Sequence, residues 1–342
     1  MSVATKKKEM IEILSKLKPG LAKREIIEEM VHFTFTGDRV LTYNEEVCIS
    51  YPFETDFQCS VNAKDMLDAL NKAKAETIEL DLVEGQLNLT CKDQDVFMNV
   101  SQETEIKDKA VEVISEAADN EWKKVPEDFT ECMFLTMFSA SKQEADGSFQ
   151  GICVDNVNTY STDRLRVTRC TMKSPMDPFV IRAAVAQDLR NYKFTEYNQG
   201  DNWINFRTAD QVLFSVKKIA DDWPVEDMQQ HLKLEGTRFR LPESLQVAAH
   251  DLITWTEGDM DFHKTVSFIM ENNLITLEGK KESGIMRKRI LVEYQSDPIK
   301  FLISPVYLST IMDKGATRIV VGETRAAFKK ENMLHIMQLQ AK

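Results

Sequence analysis

Apolar residues recur at helical spacing over Met10, Ile11, Ile13, Leu14 and Leu17, in a segment stopped by Pro19-Gly20. This pattern predicts a short amphipathic helix. The period then changes. Val31-His32-Phe33-Thr34-Phe35, Val40-Leu41-Thr42 and Val47-Cys48-Ile49-Ser50-Tyr51 read as strands, with Gly37-Asp38 as the turn between the first two. A second helix, Ala63 to about Lys74, sets Met66, Leu67 and Leu70 on one side. Three more strands follow at 78–82, 87–91 and 96–100, the first two joined across Glu84-Gly85.

One short helix and a few strands then recur down the chain. Helix candidates begin near residues 6, 62, 126, 183, 242 and 304, a repeat of about 57–60 residues. Strand pairs are expected around Asp155-Asn156, Asp201-Asn202, Glu271-Asn272-Asn273 and Gly322-Glu323. Taken in pairs, the units give three similar domains, 1–121, 122–233 and 234–342, with seams near Asp119–Lys124 and His231–Gly236, where charge is dense and apolar periodicity lapses. Strand-rich units with one sparse helical layer imply an α+β fold of antiparallel sheets covered by helices on one face. A doubly wound α/β fold would need more helices. Val96-Phe97-Met98 and Ile336-Met337-Gln338-Leu339 carry no charge, so at a sheet edge either would invite pairing with another chain; ordinary half-buried core strands give the same pattern.

Composition narrows the function. The 342 residues are 43% apolar, an ordinary globular value. Lys and Arg number 43 against 55 Asp and Glu, a formal net charge of −12, which opposes nucleic acid as a partner unless the bases gather on one face. Six cysteines, at 48, 59, 91, 132, 153 and 170, form no CxxC pair, and the five histidines stand apart. Reduced thiols in a soluble, cytoplasmic protein without a metal are expected. The amino terminus is charged and no apolar run approaches the roughly 20 residues of a membrane span. Serine-elbow, phosphate-loop, dinucleotide and HExxH motifs are absent, and the pairs Asp221-Asp222 and Asp259/Asp261 read as solvated surface. No enzyme and no cofactor are expected.

The bases are more informative. Lys6, Lys7, Lys8, Lys16 and Lys18 flank the first helix, with Lys23 and Arg24 just after it; Lys64, Lys72 and Lys74 belong to the second. Arg182, Arg190 and Lys193 belong to the fourth and Lys314 closes the sixth. On one surface they would meet phosphates without reading bases, although lysines at helix ends also serve simply to complement the dipole and keep a surface soluble. The third and fifth helices break the pattern, carrying Glu127, Asp128 and Glu131, then Glu243, His250 and Asp251.

Local segments add a resemblance. Phe149-Gln150-Gly151 followed by Tyr160-Ser161-Thr162-Asp163-Arg164-Leu165-Arg166-Val167 is similar to a Gly-bearing strand and Thr-Asp-Gly-His-Arg-Leu segment, with Arg164 for the Gly and Leu165 for the His. Asp222-Trp223-Pro224 is similar to an aromatic-Pro step, and Ile336-Met337-Gln338-Leu339-Gln340-Ala341-Lys342 stands where a Met-Pro-Met-Arg-Leu ending would be. These segments and the unit order belong to the bacterial-type DNA polymerase sliding clamp, the polymerase III beta subunit, which the chain resembles along essentially its whole length, as a divergent bacterial or phage member.

The resemblance implies a homodimeric ring of three DNA-clamp domains per subunit, helices lining a hole threaded by duplex DNA, acting as a processivity factor with a replicative polymerase and a clamp loader. Partner peptides would dock in a cleft between the second and third domains, walled by Phe149, Thr162, Leu165, Arg166, Val167, Pro224, Met228, Ile336, Met337 and Leu339. Met and aliphatic side chains suit a shared docking site because they repack around different peptides. Val96, Phe97 and Met98 would pair across the ring opposite the helix holding Leu252 and Ile253. Arg24 aligns with a position that approaches DNA. Two rivals remain: a regulatory or decoy clamp homologue that binds the same peptides without closing on DNA, and an enzyme with a non-obvious polar pocket.

Overall fold

Asn62 and Ser304 start two helices by capping them. The Asn62 side chain accepts from the N–H groups of Lys64 and Asp65 at 3.0 and 3.3 Å, and Ser304 Oγ accepts from that of Tyr307 at 3.4 Å, with Pro305 at the first helical position. Such caps satisfy donors that the helix itself leaves unpaired. In this computed structural model, which describes residues 3–23, 28–101 and 105–340, all six expected helix starts carry helical turns.

In chain order the elements are β1 (Val3–Lys6), α1 (Lys7–Leu17), β2 (His32–Phe35), β3 (Arg39–Tyr43), β4 (Val47–Pro52), β5 (Cys59–Asn62), α2 (Ala63–Lys72), β6 (Thr77–Val83), β7 (Gln86–Cys91), β8 (Gln94–Ser101), α3 (Glu105–Asp119) and β9 (Lys123–Lys124). There follow α4 (Phe129–Thr136), β10 (Gly151–Thr162), β11 (Arg166–Arg182), α5 (Ala186–Leu189), β12 (Phe194–Gln199), β13 (Trp203–Thr208), β14 (Leu213–Lys217) and α6 (Val225–His231). The last are β15 (Thr237–Arg240), α7 (Ser244–Leu252), β16 (Val266–Glu271), β17 (Leu274–Lys281), β18 (Gly284–Leu291), β19 (Ile299–Ile303), α8 (Pro305–Asp313), β20 (Arg318–Val321), β21 (Arg325–Lys330) and β22 (Met333–Gln338).

Two compact units result: Met1–Val125 with Gln187–Ala220, and Pro126–Ala186 with Asp221–Lys342. The first is built on a sheet of 12 strands, ordered β1-β6-β7-β8-β5-β2-β3-β4-β14-β13-β12-β9; its two halves meet where Ser50 pairs with Leu213 and Val47 with Val216. The second holds a six-stranded sheet, β10-β11-β22-β21-β20-β15, and a four-stranded one, β18-β17-β16-β19. Among the described residues all strand pairings are antiparallel, and no helix is long and apolar enough to cross a membrane.

Besides the unexpected β1 and α6, two features differ from the expected pattern. The segment before the first seam is helical: α3 buries Ile106, Ala110, Val113 and Ala117, spaced so that they share one stripe, and Lys109 holds Glu105 at 2.8 Å one turn back. That stripe packs with Leu41, Tyr43, Cys48 and Trp203. Thr42, pointing to the opposite face of β3, donates to the Leu17 carbonyl of α1 at 2.8 Å. Helices thus cover this part of the sheet from both sides. The expected turn at Asp155-Asn156 is instead a bulge inside β10: Asn156 has φ 55° and the register against β11 shifts on either side of it, but the strand continues to Thr162. An Asn that tolerates the left-handed region marks a turn and a bulge alike.

Candidate functional site

The hairpin between β10 and β11 is tied from within. Asp163 Oδ1 accepts from the N–H groups of Leu165 and Arg166, both at 3.1 Å, and Oδ2 accepts from Arg166 Nε at 2.8 Å. Thr162 Oγ1 donates to the Arg166 carbonyl at 2.7 Å and accepts from the Arg164 N–H at 3.0 Å. Arg164 therefore sits at the tip with φ 71°, a conformation that costs a non-glycine residue about 1–2 kcal/mol. Thr162 and Asp163 close the loop and Arg166 anchors it. The Arg166 guanidinium is buried, 3.9 Å from the centre of the Tyr307 ring and 5.6 Å from that of Phe138.

Beside this hairpin runs β22, with Arg166 opposite Met337 and Val167 opposite Ile336, and the Gln338 N–H donates to the Leu165 carbonyl at 2.9 Å. The two strands and α6 bound a cleft of about 350 Å³. It brings together Thr162, Leu165, Arg166, Val167, Met228, Ile336 and Met337 of the expected walls. Phe149, Pro224 and Leu339 stand outside the lining. Phe149 meets Trp223 edge-on at 5.9 Å, Pro224 precedes α6, and Leu339 is buried with its N–H on the Thr324 carbonyl at 2.8 Å. Arg164, His231, Thr324, Arg325 and Gln338 complete the lining; sequence reasoning missed Thr324 and Arg325 because their place in the cleft depends on β21 pairing with β22, Arg325 opposite Gln338, while Arg164 and Gln338 lie within the segments that carried the resemblance but were not named as walls.

Behind the floor lies His335, fully buried, its Nδ1 2.8 Å from Thr168 Oγ1 and 3.3 Å from Ser139 Oγ. Burial first, and the Arg166 charge second, hold it well below its ordinary 6.5. Burial likewise raises the Tyr307 phenol, against the pull of Arg166. The floor is thus held by a neutral imidazole and a neutral phenol around one internally paired arginine.

The expected DNA-facing bases are scattered in their environments. Lys6, Lys8, Lys64, Lys72, Arg182, Arg190 and Lys193 are exposed. Lys7 Nζ donates to the Ala73 carbonyl at 2.8 Å, linking α1 to the end of α2. Lys16 lies 4.0 Å from Asp210 and over the Tyr51 ring, and its carbonyl accepts from Tyr192 between Arg190 and Lys193. Arg182 donates to Gln150 Oε1 at 2.6 Å, and Lys314 lies over the Phe134 ring and donates to the Phe134 carbonyl at 3.2 Å. Arg24 lies outside the described residues. On α4 the exposed charge is Glu131, and α7 exposes Val247.

Of the residues expected at a subunit interface, Phe97 is 59% exposed, Val96 half-buried and Met98 buried, while Leu252 is fully buried and Ile253 half-buried. From Gln94 to Asn99, β8 pairs with β7 only; its pairing with β5 begins at Val100. β18 is an edge strand of the same length, eight residues, exposing Ile285 and Leu291.

By sequence, no protein-family model and no curated protein matches the chain. By structure it is similar over its whole length to bacterial clamps. The DnaN sliding clamp (DNA polymerase III subunit beta) from Bartonella birtlesii, solved bound to griselimycin, has TM-score 0.85 at 13% identity, covering 100% of both chains. The DNA polymerase III subunit beta from Pseudomonas aeruginosa has TM-score 0.83 at 12% identity, covering 99% of this chain and 100% of that one. The DNA polymerase sliding clamp from Caulobacter crescentus has TM-score 0.80 at 14% identity, covering 100% of both. The α+β fold of this chain is the DNA-clamp fold.

Proposed function

We propose that this chain is a DNA sliding clamp, a non-catalytic processivity factor that closes as a homodimeric ring around duplex DNA and docks a polymerase and a clamp loader by short peptides. The observation that carries this reading is the agreement of fold over the full length of clamps from three bacterial genera. Three domains per subunit, 1–121, 122–233 and 234–342, are the corresponding division of the helix-and-strand repeat.

Closure has a physical route. The free edge of β8, with Phe97 exposed, Asp95 on the strand and Asp65 and Asp68 beside it, would add to the free edge of β18, where Arg289 is exposed and Arg287 and Lys288 pair with Glu278 and Asp251 of their own subunit. Edge strands of matched length pair readily, and this head-to-tail contact made twice closes a ring when the rotation is two-fold. Exposed Lys6, Lys8, Lys64, Lys72, Arg182, Arg190 and Lys193 would supply sequence-independent phosphate contacts, with Arg24 beside them. The formal charge of −12 keeps that binding weak enough to slide. The cleft beside the Thr162–Arg166 hairpin would take the partner peptide.

Sedimentation equilibrium across micromolar concentrations tests the reading. Twice the 39.3 kDa chain mass, with retention on closed circular DNA and release on linearisation, is expected. A second reading, a decoy clamp that binds docking peptides without encircling DNA, is favoured by the acidic Glu131 face of α4 and the apolar Val247 on α7. A persistent monomer that still binds peptide would select it.

A further inference from the structure

All six cysteines are free thiols, yet two of them are held against each other inside the second unit. Cys132 on α4 and Cys170 on β11 stand 38 positions apart in the chain with their sulfurs 3.0 Å apart, and neither residue has any exposed surface. A disulfide bond is about 2.05 Å long, so the two sulfurs need to approach by only about 1 Å to form one. Both main chains are fixed around them. Thr159 Oγ1 lies 3.5 Å from the Cys132 carbonyl and 3.4 Å from that of Cys170, and Thr136 Oγ1 donates to the Cys132 carbonyl at 2.7 Å. Asn332 Nδ2 donates to the Thr171 carbonyl at 3.0 Å and reaches Cys132 Sγ at 3.5 Å. Other thiols have different neighbours: Cys48 lies on the Ala110 carbonyl, Cys153 on that of Val154, and Cys91 on Asp93.

We propose that Cys132 and Cys170 are a redox modification site, a dithiol that hydrogen peroxide converts to an intramolecular disulfide tethering α4 to the strand that carries Arg166. It stands independently of the clamp reading. The hydrogen bond shared by the pair, then burial, hold the Cys132 thiol protonated, far above its ordinary value. A protonated thiol is a poor nucleophile, so the pair is inert while the unit is closed and reacts as α4 opens locally. One sulfur attacks a peroxide oxygen and the O–O bond breaks; the departing hydroxide leaves as water with the thiol proton, and the sulfur becomes a sulfenic acid. The second sulfur attacks it, the S–O bond breaks, and a second hydroxide leaves as water with the second thiol proton. Each sulfur is oxidised by one electron and both peroxide oxygens are reduced. Contact between the sulfurs decides the product, because a sulfenic acid touching a thiol condenses before more peroxide can carry it to the irreversible sulfinic acid. The new bond restricts the unfolded chain far more than the folded one, which already holds the two groups together.

The test treats the full-length protein with a small excess of hydrogen peroxide, quenches the reagent, and reads intact mass, the non-reducing peptide map and the thermal midpoint. The subunit mass should fall by about 2 Da, the two thiol hydrogens, and the map should show one cross-link, joining Cys132 to Cys170. The midpoint should rise by about 5 °C or more and return on adding dithiothreitol. Under the same treatment Cys170→Ala should leave Cys132 to gain oxygen with no cross-link, and Cys132→Ala should do the converse at Cys170. The wild-type map decides by itself if either variant folds poorly. Oxidation confined to the half-buried Cys59 and Cys91, a cross-link between two subunits, or oxygen added at Cys132 or Cys170 of the wild type without a cross-link overturns the proposal. A Cys132–Cys170 cross-link with no rise in the midpoint overturns the tether.

Discussion

Thr168 Oγ1 stands 2.8 Å from Nδ1 of His335, and the other nitrogen of that buried ring, Nε2, has no partner among the described residues. The imidazole is neutral in the folded protein, because burial holds it well below its ordinary 6.5. The unfolded chain therefore binds the extra proton first. Stability is complete above about pH 6.5 and falls as the pH drops below it. The thermal midpoint should decline between about pH 6.5 and 5 in wild type, and decline less in His335→Gln, as followed by circular dichroism.

Asp163 accepts from three donors at the tip of the β10–β11 hairpin and leaves Arg166 uncompensated if removed. Breaking a largely buried pair from one side costs about 3–5 kcal/mol. Asp163→Ala should therefore lower the denaturant midpoint of the second unit and abolish peptide binding together, measured by urea titration.

Leu165 lines the cleft and is only partly buried, whereas Met337 is 2% exposed. Leu165→Ala should weaken peptide docking about tenfold with the oligomer mass unchanged, and Met337→Ala should weaken docking with some loss of stability as well. Unchanged peptide affinity in both would remove the cleft from the mechanism.

Phe97 projects from a strand edge with 59% of its surface exposed. Phe97→Asp should leave the melting temperature of the subunit within a degree or two and shift the sedimentation mass toward one 39.3 kDa chain. A dimer that survives the change would move closure away from β8.

Lys6, Lys7, Lys8 and Arg24 changed together to Ala should reduce affinity for duplex DNA and flatten its dependence on salt by about one unit of slope for each phosphate no longer neutralised. Fluorescence polarisation over a salt series measures both, and an unaltered slope would assign DNA to another surface.

Helix starts were legible because they are local: Asn62 caps its own helix and Ser304, followed by Pro305, caps another, all within four residues. The turns at Gly37 and Gly85, with φ 99° and 79°, are of the same kind. The helix α3 was hidden because its stripe is built of Ala110 and Ala117 as much as of Ile106 and Val113, and small residues raise a weak periodic signal. The bulge at Asn156 shares its residue chemistry with a turn, and only the partner strand distinguishes them. Of the 12 lining residues, the Thr162–Val167 segment supplied four that the sequence reading named, with Met228, Ile336 and Met337 from elsewhere. Arg325 was not legible, because an arginine on β21 enters the site only through a strand pairing that no local rule predicts; His231 ends α6, a helix the repeat pattern did not contain.

The double cover on β3 and β4 has a kinetic meaning. Val40, Leu41, Thr42 and Tyr43 and then Val47, Cys48 and Ile49 are buried, with α1 on one face and α3 on the other and paired strands along both edges. No local fraying can reach those amides, so their hydrogens exchange only through opening of the whole unit. They are expected to form the slowest-exchanging core of the first unit, and the lifetime of that core would set how long the unit resists proteolysis through global unfolding.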